Sequence, residues 1–200
     1  MIERRQEPRA KSVFKSAYVR TEAGIQFVTL RNISESGVCI DAFPGVAEGQ
    51  EIDFCFDSNA MHRGVVRWVG DGLCGLSTDG NGQAEVIHLM FPPRSVRLPL
   101  SVGVQLYVDG QREQAILHNI SIRGACISSR RTPAPGQLVS LGICGVHFEL
   151  ATVRWVRDSL FGMRFTHPVH PVVFRDLVTK IQQTSEAVLD AEETLRYAYG

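Results

Sequence analysis

Two groups of residues near the N-terminus have types and spacings that could hold an anion. Arg5 and Arg9 stand four apart, with Arg4 before them and Pro8 between. A guanidinium is planar, permanently charged, and donates through a fork that pairs bidentately with anionic oxygens. The segment around them is basic: Arg4, Arg5, Arg9, Lys11, Lys15 and Arg20 outnumber Glu3 and Glu7 within residues 1–20. Such an arm suits a local anionic partner. The second group is Asn32-Ile33-Ser34-Glu35-Ser36-Gly37. Asn and Ser side chains bond to nearby backbone, and Gly accepts positive φ cheaply. N-x-S-x-x-G therefore reads as a tight turn, with one strand ending near Leu30 and another starting at Val38-Cys39-Ile40.

The second group occurs twice. Asn119-Ile120-Ser121-Ile122-Arg123-Gly124 repeats the pattern 87 residues later. The same offset carries Leu30 onto Leu117, Cys39 onto Cys126, Gly49-Gln50 onto Gly136-Gln137, Gly75 onto Gly162, and Val66-Arg67-Trp68-Val69 onto Val153-Arg154-Trp155-Val156. An ungapped repeat of this length is a duplicated domain. It divides the chain into residues 1–88 and 89–200.

The elements that position these groups are short and β-like. In the first copy the expected strands are Ser12–Val19, Ile25–Leu30, Val38–Ile40, Ile52–Phe56, Met61–Val69 and Leu73–Leu76. Turn signals at Glu22-Ala23-Gly24, Pro44-Gly45 and Gly70-Asp71-Gly72 separate several of them. In the second copy Val102, Val104, Leu106 and Val108 alternate with period two, and Asp109-Gly110 is a hairpin turn. Leu138–Ile143, Val153–Val156 and Phe161–Phe165 complete it. The chain therefore reads as mainly β, two six-stranded antiparallel barrels in tandem, and closure would leave no long exposed edge. Residues 1–12 are expected to form an extended arm, Gln83–Met90 a short helix, and Phe91-Pro92-Pro93 a stiff start to the second copy. Pro171 opens a helix of roughly 25 residues, about 37 Å long. Its stripe is Phe174, Leu177, Val178, Ile181, Val188 and Leu195. Packing on the barrel is the favoured reading of that stripe; a dimer-forming coiled coil is the alternative, with Thr184 and Glu192 on or near the stripe against it.

Composition limits the function classes. Hydrophobic residues at 44% and charged residues at 21% are ordinary for a globular protein. A formal net charge of zero argues against a general nucleic-acid binder. No apolar run is long enough to span a bilayer. Five cysteines, an odd number, with no secretory segment, point to a reduced cytoplasmic protein. Cys39 and Cys126, inside apolar triplets, read as small core residues. There is no P-loop, no G-x-S-x-G elbow and no paired-cysteine zinc motif, so neither an enzyme nor a metal site is expected. His167 and His170 sit beside Pro168 and Pro171, as in an irregular surface connection.

An arginine pair on an arm followed by N-x-S-x-x-G between strands resembles the PilZ domain, a family that binds the bacterial second messenger cyclic di-GMP on a six-stranded barrel. The resemblance covers nearly the whole chain as two copies. It implies that Arg5 and Arg9 grip the ligand, that Asn32 and Ser34 bond to guanine, that Gly37 permits the turn and close approach, and that Arg4 adds a contact. A bidentate arginine–guanine contact is worth roughly 1–3 kcal/mol. Losing one is then expected to weaken binding about tenfold to a hundredfold. The second copy departs from the pattern. Its turn is intact at Asn119, Ser121 and Gly124, but Arg94 and Arg97 are three apart, one residue short. In an extended arm that shift turns a side chain to the other face. The second copy is thus expected to be a degenerate site and a scaffold or partner-binding domain. Trp68 and Trp155 are expected in the core or an interface, with Arg67 and Arg154 exposed.

The implied function is a cyclic di-GMP receptor that binds at the first barrel, orders the basic arm and relays that change to an unidentified downstream protein. The alternative is a ligand-independent adaptor of the same fold. No cofactor is implied beyond the ligand itself.

Overall fold

The computed structural model describes residues 11–34, 36–56, 60–78 and 95–199, with Lys11 and residues 186–199 by backbone alone. Arg4, Arg5, Arg9, Arg94, the expected helix Gln83–Met90 and the Phe91-Pro92-Pro93 segment lie outside the described residues. The chain divides into two compact units between Val96 and Arg97.

The first unit contains β1 (Lys11–Thr21), β2 (Gly24–Ile33), β3 (Gly37–Asp41), β4 (Glu51–Cys55), β5 (His62–Gly70) and β6 (Leu73–Thr78). They close into a barrel in the order β1-β2-β3-β6-β5-β4, all antiparallel. The second unit repeats the plan with β7 (Val102–Val108), β8 (Gln111–Ser121), β9 (Gly124–Ser129), β10 (Leu138–Ile143), β11 (Val146–Arg157) and β12 (Leu160–Arg164). The two expected barrels are therefore present, and neither sheet has a free edge.

Alternation explains the first core. Val38 and Ile40 point inward beside Leu30, Ile52, Phe54, Val66 and Leu76, all at most 4% exposed. Burying side chains of this size stabilises by about 1.5–3 kcal/mol each. Turn chemistry sets the hairpins. Asp71-Gly72 and Asp109-Gly110 both carry positive φ at each position, as a two-residue hairpin with strand-matched twist requires. The repeated Gly-Gln pair has a physical origin too. The Gly49 and Gly136 amides donate to the Val66 and Val153 carbonyls at 2.8 Å. Gln50 and Gln137 Oε1 accept from the Ala47 and Ala134 amides.

Strand β11 is much longer than the expected Val153–Val156, because Cys144-Gly145 makes the β10–β11 hairpin turn with Cys144 at φ 46°. A cysteine in the left-handed region gives no turn signal in sequence.

The last element, α1 (Pro171–Tyr199), has 29 residues. His170 caps it: its carbonyl accepts from the Phe174 amide at 2.9 Å and its Nδ1 from the Val172 amide at 3.3 Å. Phe174, Leu177, Val178 and Ile181 are at most 1% exposed. Ser185 Oγ donates to the Ser101 carbonyl at 3.1 Å, and Thr184 Oγ1 lies 3.6 Å from Cys144 Sγ. The described half of the helix thus packs on the second barrel. Val188 and Leu195, on which the coiled-coil reading depends, lie outside the described side chains. Among the described residues no helix is long and apolar enough to cross a membrane.

The cysteines are free thiols, and four are buried. Burial, helped by Cys39 and Asp41, pushes the Cys74 thiol up to about 11. Burial also raises Cys39 and Cys126. Thiolate is the reactive form. Iodoacetamide at pH 8 is therefore expected to modify Cys144 alone in the folded protein and all five after denaturation, as counted by intact mass. Rapid labelling of Cys74 in the folded protein would contradict this packing.

Candidate functional site

The repeated residues assemble into one row on the outside of each barrel. The β2–β3 register shifts between Leu30 and Asn32, so Asn32 faces Cys39. Cys39 faces Gly75 across β3–β6, and Gly75 faces Trp68 across β5–β6, where the register shifts again between Val66 and Trp68. Asn32, Cys39, Gly75 and Trp68 thus form a row over four strands, about 14 Å from end to end at normal strand spacing. The second barrel builds the same row from Asn119, Cys126, Gly162 and Trp155.

In the first barrel the row lies in a groove of about 310 Å³. Cys39 and Gly75 line its floor, Asn32 and Ser34 one flank, Arg67 and Trp68 the other. Cys39 is buried but is not part of the inner core cluster that holds Val38 and Ile40. The expectation of a core residue is corrected to that extent: it is buried on the outer face. Trp68, expected in the core or an interface, is 44% exposed and so is not a core residue. Val66 points inward, and strict alternation would take Trp68 inward as well. The bulge between them turns Trp68 out. Its indole lies against the Gly75 backbone, where any Cβ would overlap the ring. Arg67 is exposed, as expected, and its Nε donates to Ser77 Oγ at 2.7 Å.

The turn at the end of the groove is self-bonded. The Ser34 amide and hydroxyl both donate to the Gly37 carbonyl, at 2.8 and 3.2 Å. Gly37 does not have positive φ; its lack of a side chain is required because a Cβ would overlap the Leu76 carbonyl of β6. Gly124 stands in the same relation to the Met163 carbonyl. Beside the groove, Arg31 is already engaged. Its Nε donates to the buried Asp41 carboxylate at 2.6 Å and its guanidinium sits 5.5 Å from the centre of the Phe14 ring.

The two copies differ in the state of their asparagines. Among the described residues Asn32 has no hydrogen-bond partner for its amide, whereas Asn119 Oδ1 accepts from Arg97 Nη1 at 3.0 Å. Backbone register explains why. Leu98 and Ile120 exchange hydrogen bonds of 2.8 and 3.1 Å, and this pair is equivalent by the repeat to Lys11 and Ile33. Arg97 therefore occupies the position equivalent to Ala10, one past Arg9. Ser121 is 4% exposed, with its hydroxyl donating to the Gly124 carbonyl and accepting from the Arg123 amide, both at 3.2 Å. Asn119 Oδ1 and the Ser121 hydroxyl are thus both engaged within the second barrel.

A larger cavity of about 760 Å³ lies at the opposite end of β2, by Arg20, Glu22, Phe43, Asp53 and Arg63. Two of its charges are paired with each other. Arg63 donates to both Asp53 oxygens at 2.9 and 3.4 Å and holds that carboxyl below its usual range. The groove is smaller but holds the Asn32 amide, unpaired among the described residues.

Trp68, Gly75, Arg67 and Ser77 were not among the residues expected at the site. The repeat held the signal, since three of the four recur at the same offset. Among the described residues no cluster could hold a metal ion.

The profile of the family described as "PilZ domain" matches residues 3–91 and again residues 93–183. Solved structures that the chain matches include PlzA of Borreliella burgdorferi in complex with c-di-GMP, at 10% identity over 84% of this chain and 86% of that one, TM-score 0.36. YcgR of Escherichia coli in complex with c-di-GMP follows at 16% identity over 91% and 88%, TM-score 0.34. The inhibitor of motility MotI (DgrA) of Bacillus subtilis has 12% identity over 90% and 99%, TM-score 0.34. No curated protein matches the chain.

Proposed function

Because the chain belongs to the PilZ domain family, we propose that it is a cyclic di-GMP receptor whose ligand lies in the groove of the first barrel. The observation that supports this most is the Asn32 amide, unpaired among the described residues, at one end of a row that finishes in an exposed indole. An amide can pair with a base edge, and an indole offers a stacking face. Arg67 lies beside them as a fixed cation. The arm supplies the remaining charge. Ser12 pairs with Asn32 in the β1–β2 ladder, so the arm is rooted at the groove. Arg9 is three residues from that root, within about 10 Å of chain. In this reading Arg4, Arg5 and Arg9 close over the phosphates and bases, and Gly37 lets β3 run close to β6 under the turn.

Binding orders the arm and neutralises it, and a partner reads the altered surface. A ligand shifts such an equilibrium only by its preference for the ordered state. The second barrel does not share the ligand in the same way, because Arg97 already fills the place at Asn119. The reading involves no catalysis and a cytoplasmic setting, where the second messenger is made.

Calorimetric titration with cyclic di-GMP tests it. Saturable binding is expected, weakened at least tenfold by Arg9→Ala and unchanged by Arg97→Ala. No binding to the wild-type chain would leave a ligand-independent adaptor as the better description.

A further inference from the structure

The second barrel carries a concentration of arginine that its twin lacks. Arg123, Arg154 and Arg164 are all exposed. By the repeat they stand at the positions of Ser36, Arg67 and Ser77 in the first barrel. There the corner holds one guanidinium, and it is satisfied by the Ser77 hydroxyl at 2.7 Å. In the second barrel that hydroxyl is replaced by another arginine, and the Ser36 position by a third.

The backbone brings the three together. Arg164 pairs with Gly124 on one side and Thr152 on the other. The Phe165 amide, next along, donates to the Arg123 carbonyl at 2.9 Å. Arg154 is the bulge residue between Val153 and Trp155, opposite the same stretch of β12. Among the described residues none of the three makes an ion pair. Like charges placed side by side on a sheet destabilise it, so this corner is less comfortable empty than its twin.

We infer that this corner is a binding site for a diphosphate group. It is independent of the cyclic di-GMP groove. Three exposed arginines carried by one turn and the strand segments paired beside it suit a compact anion with several oxygens. A base is disfavoured at the neighbouring tryptophan, because the Arg157 guanidinium already sits 5.8 Å from the centre of the Trp155 ring. Asn119 is likewise held by Arg97. The site therefore reads phosphate and leaves any attached nucleoside outside it. Free diphosphate and the diphosphate of a nucleotide share this chemistry.

The test is titration of the full chain with inorganic pyrophosphate, followed by two-dimensional amide NMR and by thermal melting. Saturable shifts confined to residues 119–124 and 152–165, with a raised melting temperature, are expected. Arg164→Ser and Arg123→Ser, which restore what the first barrel has, should each weaken binding about tenfold. Both should remain folded, since they relieve repulsion; if one does not, the other decides. Arg9→Ala should leave pyrophosphate binding intact, which separates this site from the groove. ADP binding as tightly as pyrophosphate would point to a nucleotide as the source, and much weaker ADP binding to the free anion; both uphold the diphosphate site. Absence of saturation, wild-type affinity in both serine variants, or loss of binding with Arg9→Ala would overturn the inference.

Discussion

Trp68→Ala is expected to weaken cyclic di-GMP binding by about tenfold to a hundredfold and to leave the first barrel folded. Base-on-aromatic stacking is worth about 1–3 kcal/mol per base, which converts to that range of affinity. The fold should survive because the indole is 44% exposed and lies on the outer face, away from the inner cluster of Val38, Ile40, Phe54 and Val66. Its main contact is the backbone of Gly75, which loses a cover but no core partner. Trp155→Ala is the matched control. Its indole covers Gly162 in the same manner but has Arg157 over it, so affinity for cyclic di-GMP should not change. Fluorescence or calorimetric titration of both variants makes the comparison. Equal affinity of Trp68→Ala and wild type would remove the ligand from this groove, even if the protein binds it.

The tryptophan shows where sequence reading reached its limit. The 87-residue repeat located both barrels, their turns and most of their strands. It did so because alternation and turn residues are local signals, and because one copy checks the other. Bulges leave no such trace. Nothing in Val66-Arg67-Trp68 marks the shift that sends Arg67 and Trp68 to the same outer side. A strict period of two points the tryptophan to the core, one of the two places expected for it. The same limit applies to Asn32, whose outward position depends on the shift at Arg31. The short R-x-x-R spacing did announce that the second copy differs. That Arg97 would end on Asn119 required the register of Leu98 against Ile120. Conversely, paired positions that look unrelated in sequence turn out to be equivalent. Arg31 with Asp41 in one copy is His118 with Ser128 in the other, bonded at 2.6 and 2.8 Å across the same two strands.

The glycine of the motif should give the largest loss of stability. Gly37→Ala is expected to destabilise the first barrel by about 3 kcal/mol, within the range for overpacking against a structure that cannot yield. For a unit of this size that lowers its melting temperature by on the order of 15 °C. The new methyl would overlap the Leu76 carbonyl. That carbonyl cannot move aside cheaply, because Gly37–Asp41 pairs with Leu73–Ser77 residue by residue, and the Thr78 amide donates to the Ser36 carbonyl at 3.0 Å just beyond. This ladder joins strands that are not consecutive in the chain and closes the barrel. Gly49→Ala is the contrast: φ is 84° but nothing lies within 4 Å of the new methyl. Its penalty is conformational alone, about 1 kcal/mol. Gly124→Ala completes the set. It meets the Met163 carbonyl in the same way, so the second barrel should lose a similar amount of stability. Cyclic di-GMP affinity should fall with Gly37→Ala and hold with Gly124→Ala. That difference separates what the N-x-S-x-x-G turn does for folding, in both copies, from what it does for the ligand in one. A Gly37→Ala protein that melts with the wild type would mean that β3 does not pass this close to β6.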